Sequence, residues 1–264
     1  MRSFLARVRV LLVLIAAAAA LPAAAQTVPD ARGYVLGADD AVTVSVYGQP
    51  DAGVQTRIKA DGSIVVPLIG NVQAAGQTVI GLADVIAKKF VSGGFFKTPV
   101  VNVEIAGYVS KTINIAGKVT NPGVYPLDRG YRALEVLLKA GWVRDAGANY
   151  IYLRRADNKE VRLEAEALVR GAQDKNPLMM PGDTLYVPDA DIFYIYGQIN
   201  RAGAFPVLPG MTVRQAIAFA GGVTATGSDR KVGLYRAGAK DKDEVDLDQV
   251  LQKNDVIVIK ERLF

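Results

Sequence analysis

The strongest constraint on this chain is a stretch that it uses twice, because a unit repeated at a fixed offset must fold into the same module both times. Residues 113–127 read Ile-Asn-Ile-Ala-Gly-Lys-Val-Thr-Asn-Pro-Gly-Val-Tyr-Pro-Leu, and residues 193–207 read Phe-Tyr-Ile-Tyr-Gly-Gln-Ile-Asn-Arg-Ala-Gly-Ala-Phe-Pro-Val. Gly117 aligns with Gly197, Gly123 with Gly203 and Pro126 with Pro206, each 80 residues on, and the register holds to Ala140-Gly141 and Ala220-Gly221. An offset kept through strand, turn and helix marks two copies of one supersecondary unit.

Each copy opens on alternation. Ile113 and Ile115, like Phe193 and Ile195, are separated by polar or aromatic neighbours, which predicts a half-buried strand. Asn121-Pro122-Gly123 suits a type II turn with glycine at positive φ, and Gly203 keeps that place in the second copy. A helix follows, with an apolar stripe of Ala133, Leu134, Leu137 and Leu138 in one copy and Val213, Ala216, Ile217 and Ala220 in the other. Thr212 with Gln215 forms a capping-box start, and Gly141 and Gly221 are stops. Strands are expected at Tyr150–Arg155 and after Gly182-Asp183 and Asn254-Asp255, with a short helix at Leu163–Val169; Val245-Asp246-Leu247 parallels Val161-Arg162-Leu163.

Ahead of the repeats, Arg2, Arg7 and Arg9 precede the apolar run Val10–Leu21 and the small residues Ala23-Ala24-Ala25, so residues 1–25 are expected to be a secretory signal peptide. Residues 26–33 form a polar lead-in. The charge balance then changes its meaning. Of 31 basic residues against 26 acidic, three lie in the leader, so the remainder is nearly neutral and gives no case for a nucleic-acid partner. With no cysteine and no histidine, disulfides, thiolate or imidazole metal ligands and the commonest general base are excluded.

Residues 34–107 make a third unit. Val42, Val44 and Val46 alternate as a strand, and Asp61-Gly62 signals a hairpin between Arg57–Lys59 and Ile64–Pro67. Thr78 is the N-cap of a helix buried through Val79, Leu82, Ile86 and Phe90, and Pro99–Ile105 is another strand. The opening Tyr34-Val-Leu-Gly-x-x-Asp40, the Asp61-Gly62 turn, Pro67-Leu68-Ile69-Gly70 and Pro99-Val-Val-Asn-Val resemble the export motif of outer-membrane polysaccharide export proteins. Ala38-Asp39-Asp40 stands where that motif usually has Pro-Gly-Asp. The two later copies resemble the soluble-ligand-binding β-grasp (SLBB) domains that follow the motif in the same family. The fold expected is mixed α/β (α+β): an export-motif domain at 34–107, then SLBB modules at 108–190 and 191–264.

No catalytic constellation accompanies these modules. Glu164 and Glu166 lie two apart on a predicted helix and point apart, so they read as solvated. The run Lys240–Glu244 reads as a hydrated loop, and Gly182-Asp183 and Asn254-Asp255 read as turns, because they lack the dense oxygen-ligand spacing of a calcium loop. No cofactor or metal site is expected. Tyr194 and Tyr196 share one strand face opposite Phe193 and Ile195, available for subunit packing, the favoured reading, or for stacking on sugar rings. Arg154, Arg155 and Arg201 are candidates for an acidic glycan. Trp142 reads as a core plug.

The resemblance implies a periplasmic ring of identical subunits that conducts capsular or extracellular polysaccharide passively, energised by an inner-membrane polysaccharide co-polymerase. Related proteins continue into a C-terminal membrane helix, whereas only Lys260–Phe264 follow the last predicted strand here. A separate outer-membrane component, a β-barrel, is therefore expected to complete the route. A monomeric periplasmic glycan- or small-ligand-binding protein is the alternative from another class. A glycan-processing enzyme would need facing carboxylates that the sequence does not show.

Overall fold

A computed structural model describes residues 33–145, 147–236 and 244–262. The expected leader, nearly all of the lead-in, Lys240–Asp243 and the final Leu263-Phe264 lie outside these residues. Tyr34 onward belongs to one compact unit, within which three apolar clusters form in chain order.

The first cluster grows from the alternating valines. Strand β1 (Ala41–Val46) buries Val42, Val44 and Val46 and is the middle strand of an antiparallel sheet, between β2 (Val54–Arg57) and β5 (Val101–Gly107). Helix α1 (Val79–Ser92) lays Leu82, Ile86 and Phe90 into this core, all at 0% exposure. Full burial of each such side chain contributes about 1.5–3 kcal/mol. The Thr78 hydroxyl caps the helix by accepting the Gly81 N–H at 3.1 Å. One expectation changes. The Asp61-Gly62 turn forms, with the Asp61 carboxylate accepting the Ser63 N–H at 2.9 Å. It does not join partners of one hairpin, however: β3 (Ser63–Val66) pairs with β4 (Gly70–Gln73), while β2 pairs with β1. The hairpin turn is Pro67–Gly70, where Leu68 (φ 67°) and Gly70 (φ 69°) are both left-handed.

Both repeats build the same layer. In the first, β6 (Thr112–Gly117), β7 (Gly123–Pro126), α2 (Ala133–Lys139), β8 (Tyr150–Arg154), β9 (Glu160–Glu164), α3 (Ala165–Arg170) and β10 (Thr184–Val187) give the sheet order β7-β6-β10-β8-β9. In the second, β11 (Ile192–Gly197), β12 (Gly203–Pro206), α4 (Val213–Phe219), β13 (Gly227–Tyr235) and β14 (Val256–Glu261) give β12-β11-β14-β13. The last strand of each module lies parallel to its first, β10 on β6 and β14 on β11. Among the described residues the second sheet has no counterpart of β9: Val245 is buried and donates its N–H to the Val232 carbonyl, but Val245–Leu247 form no strand.

Three local details differ from the sequence expectation. Helix α2 buries Ala133, Val136 and Leu137 and leaves Leu138 at 58% exposure, so its stripe matches Val213, Ala216 and Ile217 of the second copy. Leu163 and Glu164 complete β9, and the helix starts only at Ala165. Strand β14 runs on to Glu261, two residues beyond Ile259.

The glycines are also reassigned. Gly123 and Gly203 open β7 and β12 at φ 159° and 152°, at positive φ as expected, but well beyond the roughly 80° of a type II turn. Gly117 and Gly197 carry the constraint, at φ 89° and 93°, where a Cβ would overlap the backbone carbonyl oxygens of Val187 and Ile259. Type II turns sit elsewhere. Gly37–Asp40, Met180–Asp183 and Gln252–Asp255 each close with a backbone bond from fourth residue to first, at 3.4, 3.1 and 3.2 Å. Their third residues Asp39, Gly182 and Asn254 have φ of 71°, 85° and 63°.

Candidate functional site

Each of those three turns ends in a fully buried aspartate that opens the strand in the body of its sheet: Asp40 before β1, Asp183 before β10, Asp255 before β14. Each carboxylate accepts the N–H of the residue three earlier: Gly37 at 2.9 Å, Met180 at 2.7 Å, Gln252 at 2.8 Å. What completes the shell differs. Asp40 also accepts the N–H groups of Val109 and Ser110, the Ser110 hydroxyl and the Tyr34 hydroxyl. Burial works to raise its pKa, but the donors of Ser110, Val109 and Gly37 outweigh it and hold the carboxyl below its usual range. The neighbouring Tyr34 phenol is pushed up to about 12, chiefly by desolvation and further by Asp40. Asp255 is gripped by Arg236 through Nε at 2.7 Å and Nη2 at 2.5 Å. Asp183 takes a single hydrogen bond from Arg155 Nη1 at 2.6 Å on its Oδ2, and its Oδ1 is left without a partner.

These carboxylates hold the modules together and are not arranged for chemistry. Among the described residues no group of three or more His, Cys, Asp or Glu is placed to hold a metal ion. Glu164 pairs with Arg162 and Glu166 with Arg170, both at the surface. Arg155, a glycan candidate by sequence, is instead committed to Asp183 and to the Leu178 carbonyl. Arg201 donates to the Phe219 carbonyl and stacks over Phe205 at 5.7 Å.

The outward sheet faces remain. Tyr194 and Tyr196 of β11 are 41% and 52% exposed, while Phe193 and Ile195 point into the core. The ladder sets Tyr194 beside Val256 and Val256 beside Tyr235, and sets Tyr196 beside Val258. On the first module the corresponding face carries Tyr186 of β10 opposite Tyr152 of β8, Tyr152 opposite Arg162, and Arg154 opposite Glu160. Arg154 is exposed and makes no side-chain hydrogen bond or ion pair among the described residues. Sequence reading found Tyr194, Tyr196 and Arg154 but missed Tyr152 and Tyr186, although strand alternation, with Leu153 and Leu185 in the core, puts their even-numbered neighbours on the outward face. Tyr150, next on that face, is covered: Arg162 stacks over its ring at 3.8 Å, and its hydroxyl donates to Asp191 at 3.2 Å. Trp142 packs partly buried against the first module's core.

No helix among the described residues is long and apolar enough to cross a membrane, which says nothing of crossing by strands. Residues 28–106 match the family described as polysaccharide biosynthesis/export protein, and residues 111–187 and 192–245 each match an SLBB domain family. Curated relatives include the EPS I polysaccharide export outer membrane protein EpsA of Ralstonia nicotianae, 27% identical over 71% of this chain and 51% of the relative. The EpsA of Ralstonia solanacearum is 24% identical over 83% of this chain and 66% of its own length. The exopolysaccharide production protein ExoF of Rhizobium meliloti is 26% identical over 66% and 46%. The chain thus spans about half to two thirds of the curated relatives it matches. The chain carries a polysaccharide biosynthesis/export domain followed by two SLBB domains, and it is similar over most of its length to proteins named for polysaccharide export.

Proposed function

We propose that this chain is an envelope component of a machine that exports extracellular or capsular polysaccharide, acting as a conduit without catalysis. The observation that carries the reading is the order of its parts, export domain then SLBB then SLBB, in a chain similar to proteins named for polysaccharide export. In this reading the segments 34–107, 108–190 and 191–264 are stacked modules of a subunit in a homo-oligomeric periplasmic ring. The exposed tyrosine faces and open sheet edges meet neighbouring subunits, since unpaired edges favour pairing with another chain. Polymer moves through the lumen, and an inner-membrane polysaccharide co-polymerase supplies the energy. The outer-membrane step expected from the chain's last residues is not part of the proposal, because those residues are weighed against relatives of which the chain spans only part.

Two measurements test this. Electron microscopy and native mass spectrometry of the secreted protein, alone and with its genomic neighbours' products, should show closed rings. A strain deleted for the gene should stop secreting polymer while still making its precursors. Monomer under every condition, together with undiminished secretion, would overturn the reading.

A further inference from the structure

The repeat supplies its own internal control for one further site. Where β6 ends, Arg144 donates its backbone N–H to the Lys118 carbonyl at 2.9 Å, and 80 residues on Thr224 makes the same bond to Gln198 at 3.0 Å. The two places therefore share a backbone position in the repeat and carry different side chains. In the second module the polar groups satisfy one another: the Thr224 and Thr226 hydroxyls donate to Gln198 Oε1 at 3.0 and 2.9 Å, and Gln198 Nε2 donates to Glu261 at 3.1 Å. In the first module the same place is a cleft of about 470 Å³ lined by Lys118, Thr120, Val143, Arg144 and Asp145. That volume falls in the usual range of small-molecule sites, roughly 300–1,000 Å³. The side chains of Arg144 and Asp145 are exposed and have no partner among the described residues, and Lys118 reaches only the exposed Asp189, at 3.0 Å.

We propose that this cleft is a subsite for one acidic sugar residue, carboxylate-bearing, of the passing polymer. The proposal rests on the export reading above. Each polar lining group has a role in it. The Arg144 guanidinium presents a planar donor fork that matches a carboxylate, with the Lys118 ammonium beside it as a second donor. The Asp145 carboxylate accepts from sugar hydroxyls. The Thr120 hydroxyl donates to the Gly141 carbonyl at 2.8 Å, which leaves its oxygen free to accept as well. A cleft open to solvent and built on charged, freely hydrated groups binds weakly and releases readily, as a moving polymer requires. The second module, with its polar groups already bonded, offers no equivalent among the described residues, so the subsite belongs to the first module.

The test titrates the secreted protein with hexagalacturonate and, separately, with neutral maltohexaose at low ionic strength, by calorimetry. Hexagalacturonate is expected to bind, more weakly as salt is raised, and maltohexaose to bind at least about tenfold more weakly. Arg144→Gln is expected to raise the hexagalacturonate Kd about tenfold or more, the size of losing one charge-assisted hydrogen bond. Lys118→Gln should act in the same direction, Arg57→Gln on the export domain should have no effect, and all three should melt with the wild type. Equal affinity for the two hexasaccharides, no binding of either, or a Kd that Arg144→Gln and Lys118→Gln leave unchanged would each overturn the subsite. Polymer secretion in the deletion strain is scored separately. Secretion that still requires the gene while binding fails refutes only the subsite, and secretion that does not require it refutes the export reading.

Discussion

Replacing Asp40 by asparagine isolates what the buried carboxylate does, because shape is kept while one acceptor becomes a donor. Oδ1 of Asp40 accepts the Val109 and Ser110 N–H groups, both at 2.8 Å, and an amide oxygen can still do so. Oδ2 accepts the Gly37 N–H at 2.9 Å, the Ser110 hydroxyl at 2.8 Å and the Tyr34 hydroxyl at 2.9 Å. With NH2 in that place the two hydroxyls can rotate to accept, but the Gly37 N–H cannot, and two donors face each other at 0% exposure. Losing one charge-assisted bond costs about 1.5–3 kcal/mol, and the remaining bonds lose charge assistance, so D40N should destabilise by about 2–3 kcal/mol. Asp40→Ala, which leaves the Gly37, Val109 and Ser110 N–H groups unmet, should cost more. The pH dependence supplies an independent sign. The folded-state pKa of Asp40 is depressed, so its stabilisation is fully present above the unfolded value of about 3.9 and is lost as pH falls through the lower folded value. The wild-type advantage over D40N should therefore be constant from pH 7 to about 5 and shrink below about 4. The single tryptophan, Trp142, packs on the first SLBB core and is a poor reporter here. Urea unfolding should instead be followed by hydrogen exchange at the amides of β1 and β5. Equal protection in D40N and wild type at pH 7, or a difference that persists undiminished at pH 3, would refute the argument.

Other perturbations separate the modules. Gly117→Ala and Gly197→Ala combine left-handed φ with backbone overlap and should cost well over 2 kcal/mol each, whereas Gly123→Ala, at positive φ with nothing within 4 Å of its new methyl, adds backbone strain alone and should cost less, about 1–2 kcal/mol; thermal melts of the three variants decide it. Arg236→Leu leaves Asp255 buried beside only the Gln252 N–H and should destabilise the second SLBB module by about 3–5 kcal/mol. Exchange should then rise across β11 and β14 while Trp142 fluorescence stays native. The exposed Tyr194→Ser and Tyr196→Ser substitutions should shift stability by no more than about 0.5 kcal/mol yet weaken ring assembly in native mass spectra; rings of undiminished stability would remove these faces from the interface.

The amino-acid sequence by itself determined the modules. Alternation at Val42–Val46, Ile113–Ile115 and Phe193–Ile195 set strand faces, Thr78 and Thr212 set helix starts, and the offset of 80 residues set two like folds, because each signal is carried by neighbours in sequence. The family resemblance followed from the order of those parts. The tertiary structure decided what depends on distant partners. Gly117 is irreplaceable because a strand about 70 residues later passes against it, and no local pattern announces that contact. Asp40, Asp183 and Asp255 read as turn residues, since a turn is all that their neighbours show. Their burial comes from Ser110, Arg155 and Arg236, which only folding brings to them. The cleft beside Arg144 was likewise invisible: a loop and the end of β6 must meet before two surface cations share a concavity.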